Sequence, residues 1–132
     1  MSQENVEIVK AALEAANRDD WEGVFKNMTP DFELDFSRAV GPILHGVLSL
    51  EQVRRGLMEF AGTWQSARIE PHEFIEADDL VVVPYSLHLR GRDGVEVVSR
   101  PTTVWTVRDG TIRRVVMYQE RQDALEAAGL SE

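Results

Sequence analysis

The sequence predicts an α+β fold: three N-terminal helices packed on a strongly bent, mostly antiparallel β-sheet, followed by a short C-terminal helix. Three observations predict it. Apolar residues recur at helical spacing up to about residue 62, then the pattern turns extended and stays extended to about residue 119. The extended part is cut by turn signals rather than by further helices, which makes an antiparallel meander rather than a βαβ fold. Three of its strands run well past the common length of about five or six residues, so the sheet must twist and bend.

Each element has a local reason. Residues 3–17 carry Val6, Val9, Leu13 and Ala16 on one stripe and Glu4, Glu7 and Lys10 elsewhere, an amphipathic helix. Asp19 opens a second helix, with Glu22 three residues on as in a capping box, and Thr29-Pro30 ends it. Asp31 to Ser37 alternates Phe32, Leu34 and Phe36 with Glu33, Asp35 and Ser37, the period of a strand. Gly41, Pro42 and Gly46 make 38–48 a loop around His45. Ser49 with Gln52 opens the third helix, which runs to Gly62. Strands follow near 67–77, 80–91, 95–108 and 111–119. Asp109-Gly110 is the strongest hairpin signal, because a type I′ turn needs two residues with positive φ. Pro71, Pro84 and Pro101 mark candidate bulges or edges. Residues 122–128 form a closing helix stopped by Gly129.

The chain of 132 residues is expected to form a single domain, 1–132, with no linker, repeat or low-complexity segment. With no cysteine it excludes a disulfide scaffold, a cysteine zinc site and a thiol nucleophile. Net charge is −9, which argues against a nucleic-acid partner. The imbalance lies in residues 1–80, with 16 acids and 7 bases, whereas 81–132 carry 7 of each. No apolar run is long enough for a membrane span, and the N-terminus has no signal-peptide pattern, so the expected location is cytoplasmic. Three scattered histidines give no metal spacing, and there is no Walker A loop, no G-x-G-x-x-G and no G-x-S-x-G elbow. Neither metal nor cofactor is expected.

A bent sheet wrapped round helices encloses a concave interior, a natural place for a small molecule. The strand pattern by itself leaves open whether Phe32 and Leu34 or Glu33 and Asp35 face that interior. His45 sits in a loop where a group titrating near pH ~6.5 can act as acid, base or ligand partner, or simply pack beside Pro42 and Leu44.

The element order, with Asn17-Arg18-Asp19-Asp20-Trp21, Pro30-Asp31-Phe32-Glu33-Leu34-Asp35 and Val104-Trp105-Thr106-Val107-Arg108-Asp109-Gly110, resembles the nuclear-transport-factor-2-like superfamily. Within it the chain resembles the SnoaL-like branch, with its polyketide cyclases and ketosteroid-isomerase relatives. The resemblance implies a cone-shaped fold with a deep pocket, commonly a homodimer. It places Asp35 where the isomerases carry a proton-shuttling aspartate, whose pKa an apolar cone would raise. It turns the wall residues Thr103, Trp105 and Met117 inward, with Tyr85 on the inward face of its strand. Gln119 and Thr103 are then the sparse polar groups for orienting a ligand, and Trp21 and Trp64 reach toward it. The remaining isomerase machinery is missing, since its tyrosine aligns near Ala12 and its neutral acid near Thr103. Two functions are therefore expected side by side. One is a cofactor-free acid–base enzyme (isomerase, cyclase, dehydratase or hydrolase) using Asp35 and His45 on a small, largely apolar molecule. The other is a non-catalytic ligand-binding or dimerisation module.

Overall fold

The structure, a computed structural model, describes residues 2–38 and 46–130. The elements are α1 (Ser2–Asn17), α2 (Trp21–Phe25), β1 (Met28–Asp35), β2 (Val47–Ser49), α3 (Leu50–Thr63), β3 (Ser66–Pro71), β4 (Ile75–Ala77), β5 (Leu80–Arg90), β6 (Glu96–Ser99), β7 (Thr102–Arg108), β8 (Thr111–Tyr118) and α4 (Arg121–Ala127). The expected α+β class, with three helices before the meander and one after it, is what the chain forms.

Local signals decide most boundaries. Ser49 caps α3 through the predicted capping box, its hydroxyl accepting from the Gln52 N–H while the Gln52 side chain accepts from the Ser49 N–H. The β7–β8 hairpin turns on Asp109 and Gly110, with φ of 54° and 75°, the two positive values a type I′ turn requires. The α2 cap lies one residue later than expected. Asp19 takes a left-handed conformation, and Asp20 accepts from the Gly23 N–H at 3.0 Å. Glycine at 23 leaves the room that this carboxylate occupies.

The sheet runs β2-β1-β8-β7-β5-β3, with β4 and β6 also paired to β5. All pairings are antiparallel except β1 with β8, so the sheet is mixed. The three strand-region prolines mark its curl. Leu80 to Pro84 of β5 pair with β7, whereas Tyr85 to Arg90 pair with β3 and Leu87 to Arg90 with β6. Pro71 ends β3, and Pro101 separates β6 from β7, so two strands expected to be continuous are each broken in two. Backbone bonds from His72 N–H to Pro84 C=O and from Tyr85 N–H to Pro101 C=O stitch the corner at 2.9 and 3.1 Å.

The two sheet faces carry separate apolar clusters. On the concave face Phe32, Leu34, Val81, Val83, Tyr85, Trp105, Val107, Ile112 and Val115 pack with Val6, Val9 and Leu13 of α1 and Val53 of α3. On the convex face Val82 and Val104 pack under Ala124 and Leu125 of α4. Among the described residues, no helix is long and apolar enough to cross a membrane.

Candidate functional site

The concave wall brings together four of the residues expected there. Thr103 of β7 stands in register between Val83 of β5 and Met117 of β8, and Trp105 between Val81 and Val115. Since alternate residues of a strand share a face, Tyr85 extends the same wall two residues beyond Val83. Tyr85, Thr103 and Trp105 are buried, and Met117 is half-buried against the same cluster. Around them Phe36, Leu57, Ile69 and Leu87 also keep part of their surface open. α1 packs over β3, β4, β5 and β7, while α3 packs over β1 and β2.

Polar groups on this wall are few, and they differ in what they can offer. The Trp105 indole N–H donates to the Thr103 hydroxyl at 2.8 Å, and that hydroxyl donates to the Val83 carbonyl at 3.4 Å. Thr103 therefore uses its only hydrogen inside the protein, and its main effect is to hold the Trp105 ring in one orientation. Tyr85 is different. Among the described residues its hydroxyl has no hydrogen-bond partner, and burial pushes its phenol well above the ordinary tyrosine range.

Of the other expected pocket residues, Trp21 starts α2, packs half-buried against the same concave cluster and stacks on Phe25 at 6.5 Å between ring centres. Trp64 caps the C-terminal end of α3, 6.2 Å from the Phe60 ring, with its indole N–H sealed and unpartnered. Gln119 is exposed just beyond the end of β8. His45 lies outside the described residues.

Asp35 departs from the expected setting. It is buried at 7% exposure, but Phe32 and Leu34 take the concave face of β1, which turns Glu33 and Asp35 the other way. Phe36, not Asp35, packs against the concave cluster at this strand's end. The Asp35 carboxylate accepts from the Ser37 N–H at 2.8 Å and from the Ser37 hydroxyl, while its other oxygen accepts from Arg114 Nη2 at 3.0 Å. Burial raises its pKa, but the Ser37 bonds and the Arg114 bond and charge together outweigh burial and hold it below the usual aspartate range. The expected upward shift thus becomes a downward one, because burial comes with three donors rather than with an apolar wall.

The two residues that supply those donors were not singled out in the sequence. Ser37, two residues after the aspartate, follows the pattern in which an Asx side chain bonds the backbone two residues on, so a signal for it was present. Arg114 had none. Its reach depends on the parallel pairing that sets Glu33 opposite Arg114 and on an irregularity in β7–β8 register between Thr106 and Val107. Its neighbour Arg113 instead donates to the Thr111 hydroxyl at 3.2 Å. His72 and His88 bond Ser86 and Glu70 at 2.7 and 2.9 Å. Among the described residues, no group of three or more histidine or carboxylate side chains is placed to hold a metal ion.

This architecture has many solved counterparts. TerC, co-crystallised with polyporic acid, is 24% identical, with a TM-score of 0.75 over 96% of this chain and 98% of that one. RV0760c from Mycobacterium tuberculosis, in complex with estradiol-17beta-hemisuccinate, is 15% identical, with a TM-score of 0.78 over 92% and 96%. SalBIII, an epoxide hydrolase/cyclase-like enzyme of pyran ring formation in the polyether salinomycin, is 17% identical, with a TM-score of 0.75 over 92% and 94%. At such identities the likeness is one of fold. Among curated proteins none matches the chain. The model of the SnoaL-like domain matches residues 9–115, and the chain belongs to that family.

Proposed function

We propose that this chain binds one small, largely apolar molecule on the concave wall formed by β5, β7 and β8. The observation that carries the reading is the cross-strand row Val83, Thr103 and Met117, flanked by Trp105 and Tyr85, which gathers an apolar surface with few polar groups on one face. TerC with polyporic acid and RV0760c with estradiol-17beta-hemisuccinate support a small-molecule ligand for this chain, by likeness of fold. Titration with 8-anilinonaphthalene-1-sulfonate tests it. The expected result is saturable one-to-one binding, weakened about tenfold or more by Met117→Trp, which fills the half-buried part of the wall, a loss of about 1.4 kcal/mol. Equal binding by both proteins would place the probe elsewhere and sink the reading.

A second reading, a cofactor-free acid–base enzyme of isomerase, cyclase, dehydratase or hydrolase type, has one observation in its favour: Asp35 is a buried, ordered carboxylate at the end of β1. Its pairing with Arg114 and its lowered pKa weaken it as a base, because a proton acceptor gains by having its pKa near the working pH. A turnover assay on a panel of enolisable ketones and epoxides decides. The binding reading expects no substrate whose conversion Asp35→Asn abolishes.

The homodimer implied by the resemblance belongs to the same proposal. Val95, Val97 and Val98 stand 55%, 41% and 45% exposed at and just before β6, apolar surface of the kind that association covers. Sedimentation equilibrium is expected to give twice the monomer mass, and Val98→Glu is expected to shift the protein toward monomer. A wild-type protein that sediments as a monomer would exclude the dimer.

A further inference from the structure

A strand at the margin of a sheet leaves a row of backbone N–H and C=O groups without partners, and proteins guard such edges. β3 and β6 flank the same stretch of β5, one on each side, and only one of them is guarded. The Asn17 side chain accepts from the Ile69 N–H and donates to the Ile69 C=O, both at 2.8 Å. An amide of α1 thus takes the place of a strand beside β3. Two residues on, Pro71 has no N–H to offer.

β6 has no such cover. Its bonds to β5 follow the odd-numbered residues, since the Gly91 N–H donates to Val95 C=O at 2.7 Å and the Tyr85 N–H to Pro101 C=O at 3.1 Å. By alternation Glu96, Val98 and Arg100 turn their N–H and C=O groups away from β5. Among the described residues no strand lies on that side, and no bond reaches those groups. All the side chains of β6 are exposed.

The order of those side chains decides what can pair there. Glu96 and Arg100 stand two residues before and two residues after Val98. A second copy laid antiparallel on this edge, about a two-fold axis at Val98, sets Val98 against Val98 of the partner subunit. The same register sets Glu96 opposite Arg100 of the partner subunit, and Arg100 opposite the partner's Glu96. Opposite charges facing each other across a strand pair stabilise it, and like charges destabilise it. Moving the axis to Glu96 or to Arg100 brings like charges face to face, and moving it to Val97 leaves both charges opposite uncharged residues. Glu96 already stands beside Arg90 of β5 at 3.9 Å, so the joined sheets carry a row of alternating charge.

We propose that two copies of this chain join through β6, edge to edge and antiparallel about Val98, so that their sheets become one. This rests on the dimer reading above and names its contact. Such a contact uses the same edge on both copies and closes on itself, so association stops at two.

The test is charge exchange, followed by sedimentation equilibrium of the full chain. Glu96→Arg and Arg100→Glu each set like charges opposite one another twice per dimer, and each is expected to weaken association about tenfold or more. Combining Glu96→Arg with Arg100→Glu restores opposite pairing, and association is expected to return to within about threefold of the wild type. Val98→Pro gives a second measure that spares the protomer. The Val98 N–H bonds nothing within it, so proline is expected to abolish the dimer and leave the melting of the monomer nearly unchanged. A wild-type dimer indifferent to all these substitutions would overturn the β6 contact and leave the dimer reading standing. Single variants that weaken association without recovery in the combined one would overturn the register about Val98. A wild type that sediments as a monomer would overturn the dimer reading and this inference together, and leave the edge to a partner other than this chain.

Discussion

Phe32→Ala is expected to lower the free energy of unfolding by about 3–5 kcal/mol, whereas Glu33→Ala next to it is expected to change it by less than about 0.5 kcal/mol. Phe32 is 1% exposed and packs in the cluster between the concave face and the helices, so its removal loses the transfer free energy of a ring and leaves a cavity. Glu33 points to the opposite face and is exposed. Against a total stability of about 5–15 kcal/mol, such a loss brings a single domain close to its unfolding threshold at 25 °C. Urea unfolding followed by tryptophan fluorescence measures both variants. The reverse ranking, a costly Glu33→Ala and a silent Phe32→Ala, would mean that β1 is turned by one residue, because a shift of one exchanges its two faces.

Asp35→Ala is expected to cost about 2 kcal/mol at pH 7, and the cost is expected to disappear in acid. The carboxylate organises Ser37 through two bonds and meets Arg114 at 3.0 Å, and its removal leaves those donors to solvent or unpaired. Arg114 is about half exposed, which keeps the figure well below that for a fully buried ion pair. The sign of the pH dependence follows from the direction of the shift. The folded-state pKa lies below the unfolded value of ~3.9, so the unfolded chain takes up the proton first as pH falls. The stabilisation is fully present above that value and is lost as pH drops through the folded pKa. Denaturation of wild type and variant across pH 7 to 2 should therefore converge at the acid end. Arg114→Ala removes one of the lowering influences, so the Asp35 carboxyl carbon should titrate at a higher pH in that variant by NMR. A gap between wild type and Asp35→Ala that is independent of pH would disprove this account of the cluster.

These two expectations concern the one strand whose facing the alternation could not choose. Phe32-Glu33-Leu34-Asp35 has the same period read from either side, and the resemblance to a family with an aspartate near this place pulled the reading toward the wrong face. Apolar bulk decides the matter physically. Turning Glu33 and Asp35 inward would bury two carboxylates and expose Phe32 and Leu34, a loss on both counts. Exposed Glu33 and buried, bonded Asp35 are the cheaper arrangement.

The wall was read more successfully than the carboxylate because it depends on alternation alone. Thr103 and Trp105 are two residues apart in one strand, and so are Val115 and Met117 in the next. The hairpin at Asp109-Gly110 then brings the two pairs together in register. What alternation could not show is how the polar atoms on the wall are spent. Thr103 was expected to orient a ligand, but the indole two residues along claims its hydroxyl. Tyr85 was expected only to line the wall, but its hydroxyl has no partner among the described residues.

By itself the sequence determined what depends on neighbours close along the chain. The helical stripe of α1, the Ser49–Gln52 capping box, the left-handed Asp109-Gly110 turn and the stop at Gly129 are all interactions within a few residues, and each formed where it was read. The family was legible too, through motifs spread along the chain. Tertiary structure decided what depends on residues far apart. The parallel pairing of β1 with β8 joins segments separated by most of the chain and, with the register irregularity in β7–β8, brings Arg114 to Asp35 across 79 positions. The corner at Pro84 becomes a curl only because two neighbouring strands break beside it. Local free energies select a turn or a cap wherever it lies. Which face is buried, and whether a buried polar group finds a partner, is settled only when distant strands compete for the same space.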